Sequence, residues 1–156
     1  MNTPTFTLDE AQKLIIAKFI HEMPFNQLLG LEVLSFDKTQ IKLVFNHKPG
    51  LIGNFEQQIL HGGVIASVLD VASGLVCIGN VLNRMSSFSK EVLRKRLSTI
   101  GTIDLNINYL HPGRGKKFIA SGTIIRTGNK ISVARAELHN EQNQHIATGI
   151  ATYLVG

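Results

Sequence analysis

At 156 residues the chain has the length of one domain with a sizeable core. Its 44% hydrophobic and 17% charged content excludes a disordered chain. The net charge of +5 comes without a long basic run, with two Tyr and no Trp, so nucleic acid is a poor partner and a phosphate-bearing small molecule a better one. A single cysteine, Cys77, excludes an intrachain disulfide and a cysteine-rich metal site, and fits a reducing, cytoplasmic setting.

The first ten residues lack the basic patch and apolar stretch of a secretory signal. A helix is predicted from Leu8 to Ile20, starting at Thr7 or Asp9, with Leu14, Ile15, Ala17, Phe19 and Ile20 on its apolar side. Pro24 opens a short turn, Phe25 to Leu29, that Gly30 stops. Strands Leu31–Phe36 and Gln40–His47 follow, joined through Asp37-Lys38-Thr39, and a loop from Lys48 leads to Leu60. Next comes a long apolar helix. Val64 to Leu82 has the length of a membrane span, but it holds Asp70, two Ser and, with the edge residue Gly63, three Gly, so we read it as a buried core helix. A charged helix from Lys90 to Leu97, capped by Ser89, precedes four strands: Thr102–Leu110, Lys117–Thr127, Ile131–His139 and His145–Val155. In the first of these, Ile103, Leu105, Ile107 and Tyr109 alternate with Thr102, Asp104, Asn106 and Asn108. This order predicts an α+β chain in which an antiparallel sheet wraps around one apolar helix.

The only charged side chain between His61 and Arg84 is Asp70. Burying an acid in an apolar helix is costly, so a function is sought for it. A carboxylate in a dry site is a strong general base or nucleophile. His61-Gly62-Gly63, just before the helix, leaves backbone N–H groups without helical acceptors. A carboxylate and an oxyanion-binding helix start are the two parts that acyl-transfer hydrolysis needs. Each also has a plain structural reading. Asp70 pairs with a buried donor, His61 caps the helix, and the glycines allow close packing.

With Asp70 nine residues after His61, this layout resembles the hotdog-fold acyl-coenzyme A thioesterases of the PaaI type, over nearly the whole chain. Pro24-Phe25 before Leu29-Gly30-Leu31, the stretch Tyr109-Leu110-His111-Pro112 and a closing strand near Ala147-Thr148-Gly149 add to the likeness. The extended motif Leu60 to Ser67, with a helical insert at 80–100 and an N-terminal helical segment at 1–30, is most similar to the bacterial YigI-type members. The resemblance implies a homodimer, or a homotetramer built as a dimer of dimers, that needs no cofactor beyond the coenzyme A of its substrate. It implies that Asp70 is the catalytic carboxylate, that the Gly62 N–H polarises the thioester carbonyl, that His61 shapes the turn, and that Thr102 helps hold the attacking water. Many relatives carry Asn six residues before the motif His, where this chain has Phe55. Asn54, Gln57 or Gln58 is left to fill that role.

Helix geometry adds a constraint. At about 1.5 Å per residue, Asp70 lies roughly 13 Å along the axis from His61. Asp70 and the Gly62 N–H of one chain therefore cannot act on one carbonyl, and a shared site requires two chains. Candidate substrate-binding residues are Asn54, Gly63 and Ser73, with Arg114, Arg126 and Lys130 as cations for the coenzyme phosphates. An acyl slot is expected along Leu69, Ser73, Leu75 and Val76, and its small and aliphatic residues favour a medium- to long-chain fatty acyl group over an aryl one. Cys77 is expected to be inert core, and the scattered His residues offer no metal-ligand spacing. The rival readings are a non-catalytic acyl-coenzyme A binding module and a dehydratase. The latter needs a catalytic His paired with an acid, whereas the motif His here sits at the helix start.

Overall fold

The computed structural model describes residues 5–85 and 88–156. Its elements run β1 (Thr5–Phe6), α1 (Leu8–Ile16), α2 (Pro24–Leu29), β2 (Glu32–Phe36), β3 (Gln40–Asn46), β4 (Ile52–Asn54), β5 (Ile59–Leu60), α3 (Gly62–Asn83), β6 (Phe88–Ser89), α4 (Lys90–Thr99), β7 (Gly101–Tyr109), β8 (Lys117–Thr127), β9 (Ile131–Asn140) and β10 (His145–Leu154). Six strands form one sheet in the order β2-β3-β8-β9-β10-β7, and every neighbouring pair is antiparallel. The sheet wraps α3. Val68, Leu69, Ala72, Leu75, Val76, Cys77, Ile78 and Leu82 are all buried, each large side chain contributing about 1.5–3 kcal/mol. The most apolar window of α3 has a mean hydropathy of 1.9 and would cross a membrane by length, yet 67% of it is buried inside the fold. It is the core helix that the sequence pattern predicts. Helix and sheet meet closely at Gly122, where a Cβ would stand 2.5 Å from the Ala72 carbonyl oxygen.

The predicted Leu8–Ile20 helix is two pieces. Thr7 and Glu10 close a reciprocal capping box on α1. After Ile16 the backbone widens into a π-helical turn, Ala17–Glu22. Side chains of α2 take the carbonyls this turn frees: Asn26 Nδ2 donates to Phe19 O at 2.6 Å, and Gln27 Nε2 donates to His21 O. Gly30, at φ +73°, ends α2 in the left-handed region, and strand β2 starts one residue later than predicted, at Glu32, because the Leu31 N–H still closes on Asn26 O. Two features were not visible in the sequence. The Lys48–Leu60 segment folds into a small β4–β5 hairpin, and β1 pairs with β6. Within the expected 80–100 insert, α4 extends to Thr99 and residues 86 and 87 lie outside the described residues, as do 1–4 of the N-terminal segment. Arg84 and Arg96 tie the insert down by donating to Thr127 O and Val155 O at 2.8 and 3.1 Å.

The strict alternation predicted in β7 breaks at its start. Thr152 pairs with Asp104 but Tyr153 pairs with Thr102, so Ile103 is an extra, bulged residue. The bulge turns Thr102 to the same side as Leu105, toward α3, and leaves Ile103 exposed at 56%.

Candidate active site

Asp70 sits two turns into α3, half-buried. Its Oδ1 accepts two hydrogen bonds: from Thr102 Oγ1 at 3.0 Å and from the Tyr153 hydroxyl at 2.6 Å. The same hydroxyl lies 2.5 Å from the Asp70 carbonyl oxygen. Oδ2 has no partner among the described residues. Burial and the neighbouring carboxylate push the Tyr153 phenol well above its usual range, so it is a permanent donor. Thr102 thus stands beside Asp70, and its route there is the β7 bulge. Tyr153 is a site residue that sequence reasoning missed. The signal was its place on a strand adjacent to the one carrying Thr102, but the pairing register that brings them together is not readable from pattern alone.

At the start of α3, His61 is the N-cap and its Nδ1 accepts from the Gly63 N–H at 2.8 Å. Gly63 therefore has no N–H to offer a substrate. The Gly62 N–H has no acceptor among the described residues, and the helix dipole adds positive potential there. Tyr109 braces this end, donating to Gly62 O at 2.9 Å. Gly53 is required for the approach of β4, since a Cβ would come within 2.5 Å of the His61 Cα. Gly62 and Asp70 are eight residues apart on one continuous helix, about 12 Å along its axis.

The polar residues of the preceding loop satisfy each other. Asn54 Oδ1 accepts from the Gln57 N–H at 3.1 Å, and Gln58 Nε2 donates to Phe55 O at 2.6 Å. Arg114 clamps Gln57 through its carbonyl at 2.9 Å and its Oε1 at 2.7 Å. Expected as a phosphate ligand, Arg114 is engaged here as a loop staple. Arg126 pairs with Val133, between the buried Ser132 and Ala134, after a bulge at Ile125. It stands on the sheet face turned away from α3, not on the Asp70 side. Lys130 lies in the β8–β9 turn, exposed, beyond the C-terminal end of α3. Ser73, an expected substrate contact, is fully buried against the sheet, and its hydroxyl has no partner among the described residues. Three residues is about 300° of helix, which is 60° the other way, so Ser73 flanks Asp70 on the side opposite the cavity residues Val71, Gly74 and Ile78.

An apolar cavity of about 160 Å³ opens beside Asp70, between α3, the π-helical turn and the start of β7. Val71, Gly74, Leu75 and Ile78 of α3 line it with Phe19, Met23, Asn26 and Ile100, and Thr102 and Tyr153 stand at its Asp70 end. Of the expected acyl slot only Leu75 belongs to it. Leu69, Ser73 and Val76 face the sheet. Cys77 is fully buried, and burial pushes its thiol up to about 12. The His residues are less scattered than their spacing predicts, because Glu137, His139 and His145 gather on adjacent strands with donor atoms within 4.8 Å. The two imidazoles stack face to face, 4.4 Å apart at 11°, and His145 Nε2 engages Ala147 O at 3.1 Å. Stacked rings direct their in-plane lone pairs side by side, not toward one point, so this trio is poorly shaped for an ion.

A six-stranded antiparallel sheet around one helix, with a free N–H at the helix start and an anchored carboxylate in its middle, is the hotdog architecture of thioester hydrolases. The chain belongs to the thioesterase superfamily, whose family model matches residues 57–147. It is 53% identical over 150 residues to the medium/long-chain acyl-CoA thioesterase YigI of Salmonella typhimurium, covering 96% of this chain and 97% of that protein. Identity to the Escherichia coli K12 protein of the same name is 51% with the same coverage. A crystal structure of a thioesterase-superfamily protein from Shewanella oneidensis superposes with a TM-score of 0.91 at 47% identity, over 96% of this chain and 97% of that one.

Proposed function

We propose that the protein, acting as one thioesterase domain, hydrolyses medium- to long-chain acyl-coenzyme A to the free acid and coenzyme A. One observation carries this reading: Asp70 lines an apolar cavity, with Oδ1 held by two donors and Oδ2 without a partner among the described residues. Relatives at 51–53% identity carry the same substrate range in their names. At roughly 30 Å³ per group, the size of a water's share of liquid, the cavity takes about five chain carbons, so longer acyl groups extend beyond it.

In the mechanism, the thioester oxygen accepts from the Gly62 N–H at the positive end of α3. Asp70 activates a water for attack, or attacks the carbonyl carbon itself and is freed by water in a second step. Coenzyme A leaves as the thiol. Because about 12 Å separates the two groups on one helix, the Asp70 of one protomer works with Gly62 of the partner subunit. The β7 edge is the surface we assign to this homodimer. It is the last strand of the sheet, and Ile103, Tyr109 and Leu110 are exposed there at 56, 53 and 45%. The reaction needs no metal or redox cofactor, and a cytoplasmic site of action fits the free thiol of Cys77. The test is a panel of acyl-coenzyme A esters of rising chain length, with free-thiol detection and added chelator. Turnover rising toward medium and long chains, unchanged by chelator, is expected. Binding without release of coenzyme A on every ester would instead make the protein a binding module.

A further inference from the structure

We infer that Tyr153 is a positioning residue for hydrolysis: it fixes the Asp70 carboxylate so that Oδ2 alone faces the substrate. The inference rests on the proposed thioesterase reading. An aspartate on a helix is free to rotate its carboxylate, and each orientation presents a different oxygen. Here Oδ1 is taken by the Tyr153 hydroxyl at 2.6 Å, a short bond to a charged acceptor, and by Thr102 Oγ1 at 3.0 Å. Two donors on Oδ1 draw negative charge to that atom and leave Oδ2 as the oxygen with open lone pairs.

The tyrosine is itself locked. It is 3% exposed, and its ring lies against Gly74, where a Cβ would stand only 3.2 Å from a ring carbon. A buried phenol must find an acceptor, and this one meets two on Asp70, its Oδ1 and its carbonyl oxygen. The hydroxyl has one proton to share between these two oxygens, so it holds the Asp70 carboxylate beside its own helix backbone. The anchor comes from β10, the strand paired with β7 across the bulge, so both donors are set by one strand pair. Because the phenol titrates far above neutrality, Tyr153 donates throughout the working range and never competes as a base.

Tyr153→Phe keeps the ring and removes the donor. On a medium-chain acyl-coenzyme A, kcat is expected to fall about 10- to 100-fold, the scale of a misplaced catalytic group. KM, and the affinity for a non-hydrolysable acyl-coenzyme A thioether, should stay within about twofold. In an Asp70→Asn background, Tyr153→Phe should cause no further loss, because the tyrosine acts through that carboxylate. A wild-type kcat in folded Tyr153→Phe, or an equal loss in both backgrounds, overturns the inference and leaves the thioesterase reading intact. No turnover by the wild-type protein overturns both. If Tyr153→Phe does not fold, 3-fluorotyrosine at position 153 preserves the contacts and sharpens the donor. A kcat changed twofold or more at constant KM supports the inference, and an unchanged kcat overturns it.

Discussion

Asp70 and Ser73 lie three residues apart on α3, yet they belong to different molecular surfaces. The Asp70 side meets a cavity, two hydroxyl donors and the edge strand β7. The Ser73 side, with Leu69, Val76 and Cys77, meets the sheet and nothing polar that its hydroxyl reaches. One helix is thus both the core of the fold and the floor of its site. The polar residue on the cavity side has partners that hold it in one orientation. The polar groups on the sheet side are merely small enough to be enclosed.

The sharpest way to break this comparison is Asp70→Asn. The amide keeps the shape and can still accept at its oxygen, but it is neither base nor nucleophile. We expect kcat to drop by about 100-fold or more with the fold intact, read by coenzyme A release and circular dichroism. Near-normal turnover would place Asp70 with Ser73, as a structural residue.

A second experiment asks whether the two ends of the site belong to two chains. His61, at ψ 137°, already has the extended backbone that precedes proline, and the Gly62 N–H has no acceptor among the described residues, so Gly62→Pro removes the oxyanion donor at little structural cost. Alone, Gly62→Pro and Asp70→Asn should each be nearly inactive. Refolded together in equal amounts, half the dimers are mixed, and each mixed dimer has one site with both lesions and one with neither. About a quarter of wild-type activity should return. No recovery, with mixed dimers verified by native mass spectrometry, would refute the shared site.

The same comparison marks what the sequence could reveal. The single acid in an apolar helix, the glycines at its start and the strand pattern were enough for the sheet wrapped on one helix, and they singled out Asp70 and the Gly62 N–H as candidates. Three things were not legible. The bulge at Ile103, which aims Thr102 at Asp70, depends on pairing with β10 and leaves no mark in the alternation of β7 itself. The Tyr153 anchor depends on that same register. Arg114 and Asn54 look like free polar groups in a loop, but the loop folds on itself into β4 and β5 and takes up their hydrogen bonds. Sequence pattern locates groups along one element well, and it loses them where two elements set each other's phase.

Cys77 tests the sheet side more gently. Cys77→Ala should leave kcat unchanged, with a loss of about 1–2 kcal/mol at pH 7 for a small core truncation. That loss should shrink in alkali. The buried thiol holds its proton up to about 12, whereas in the unfolded chain it ionises near 9.0. Between those values the unfolded state binds fewer protons than the native state, so rising pH costs the wild-type protein a share of stability that the alanine variant, lacking the thiol, does not lose. By pH 10 the gap between the two should close by about 1 kcal/mol, measured as urea midpoints at both pH values. A constant gap would mean the thiol is not sealed from solvent.

Ser73→Ala is the smallest expected change and bears most directly on the two faces. If the cavity side alone binds the acyl group, removing the Ser73 hydroxyl leaves KM and kcat within twofold across the ester panel. Stability should hold or rise by up to about 1 kcal/mol, because the hydroxyl is buried without a hydrogen-bond partner among the described residues and its removal ends a desolvation penalty. The outcome that would redraw the site is a several-fold rise in KM for long-chain esters with stability unchanged. That result would mean the acyl chain opens a path between α3 and the sheet, and the face assigned here to the core would join the binding surface.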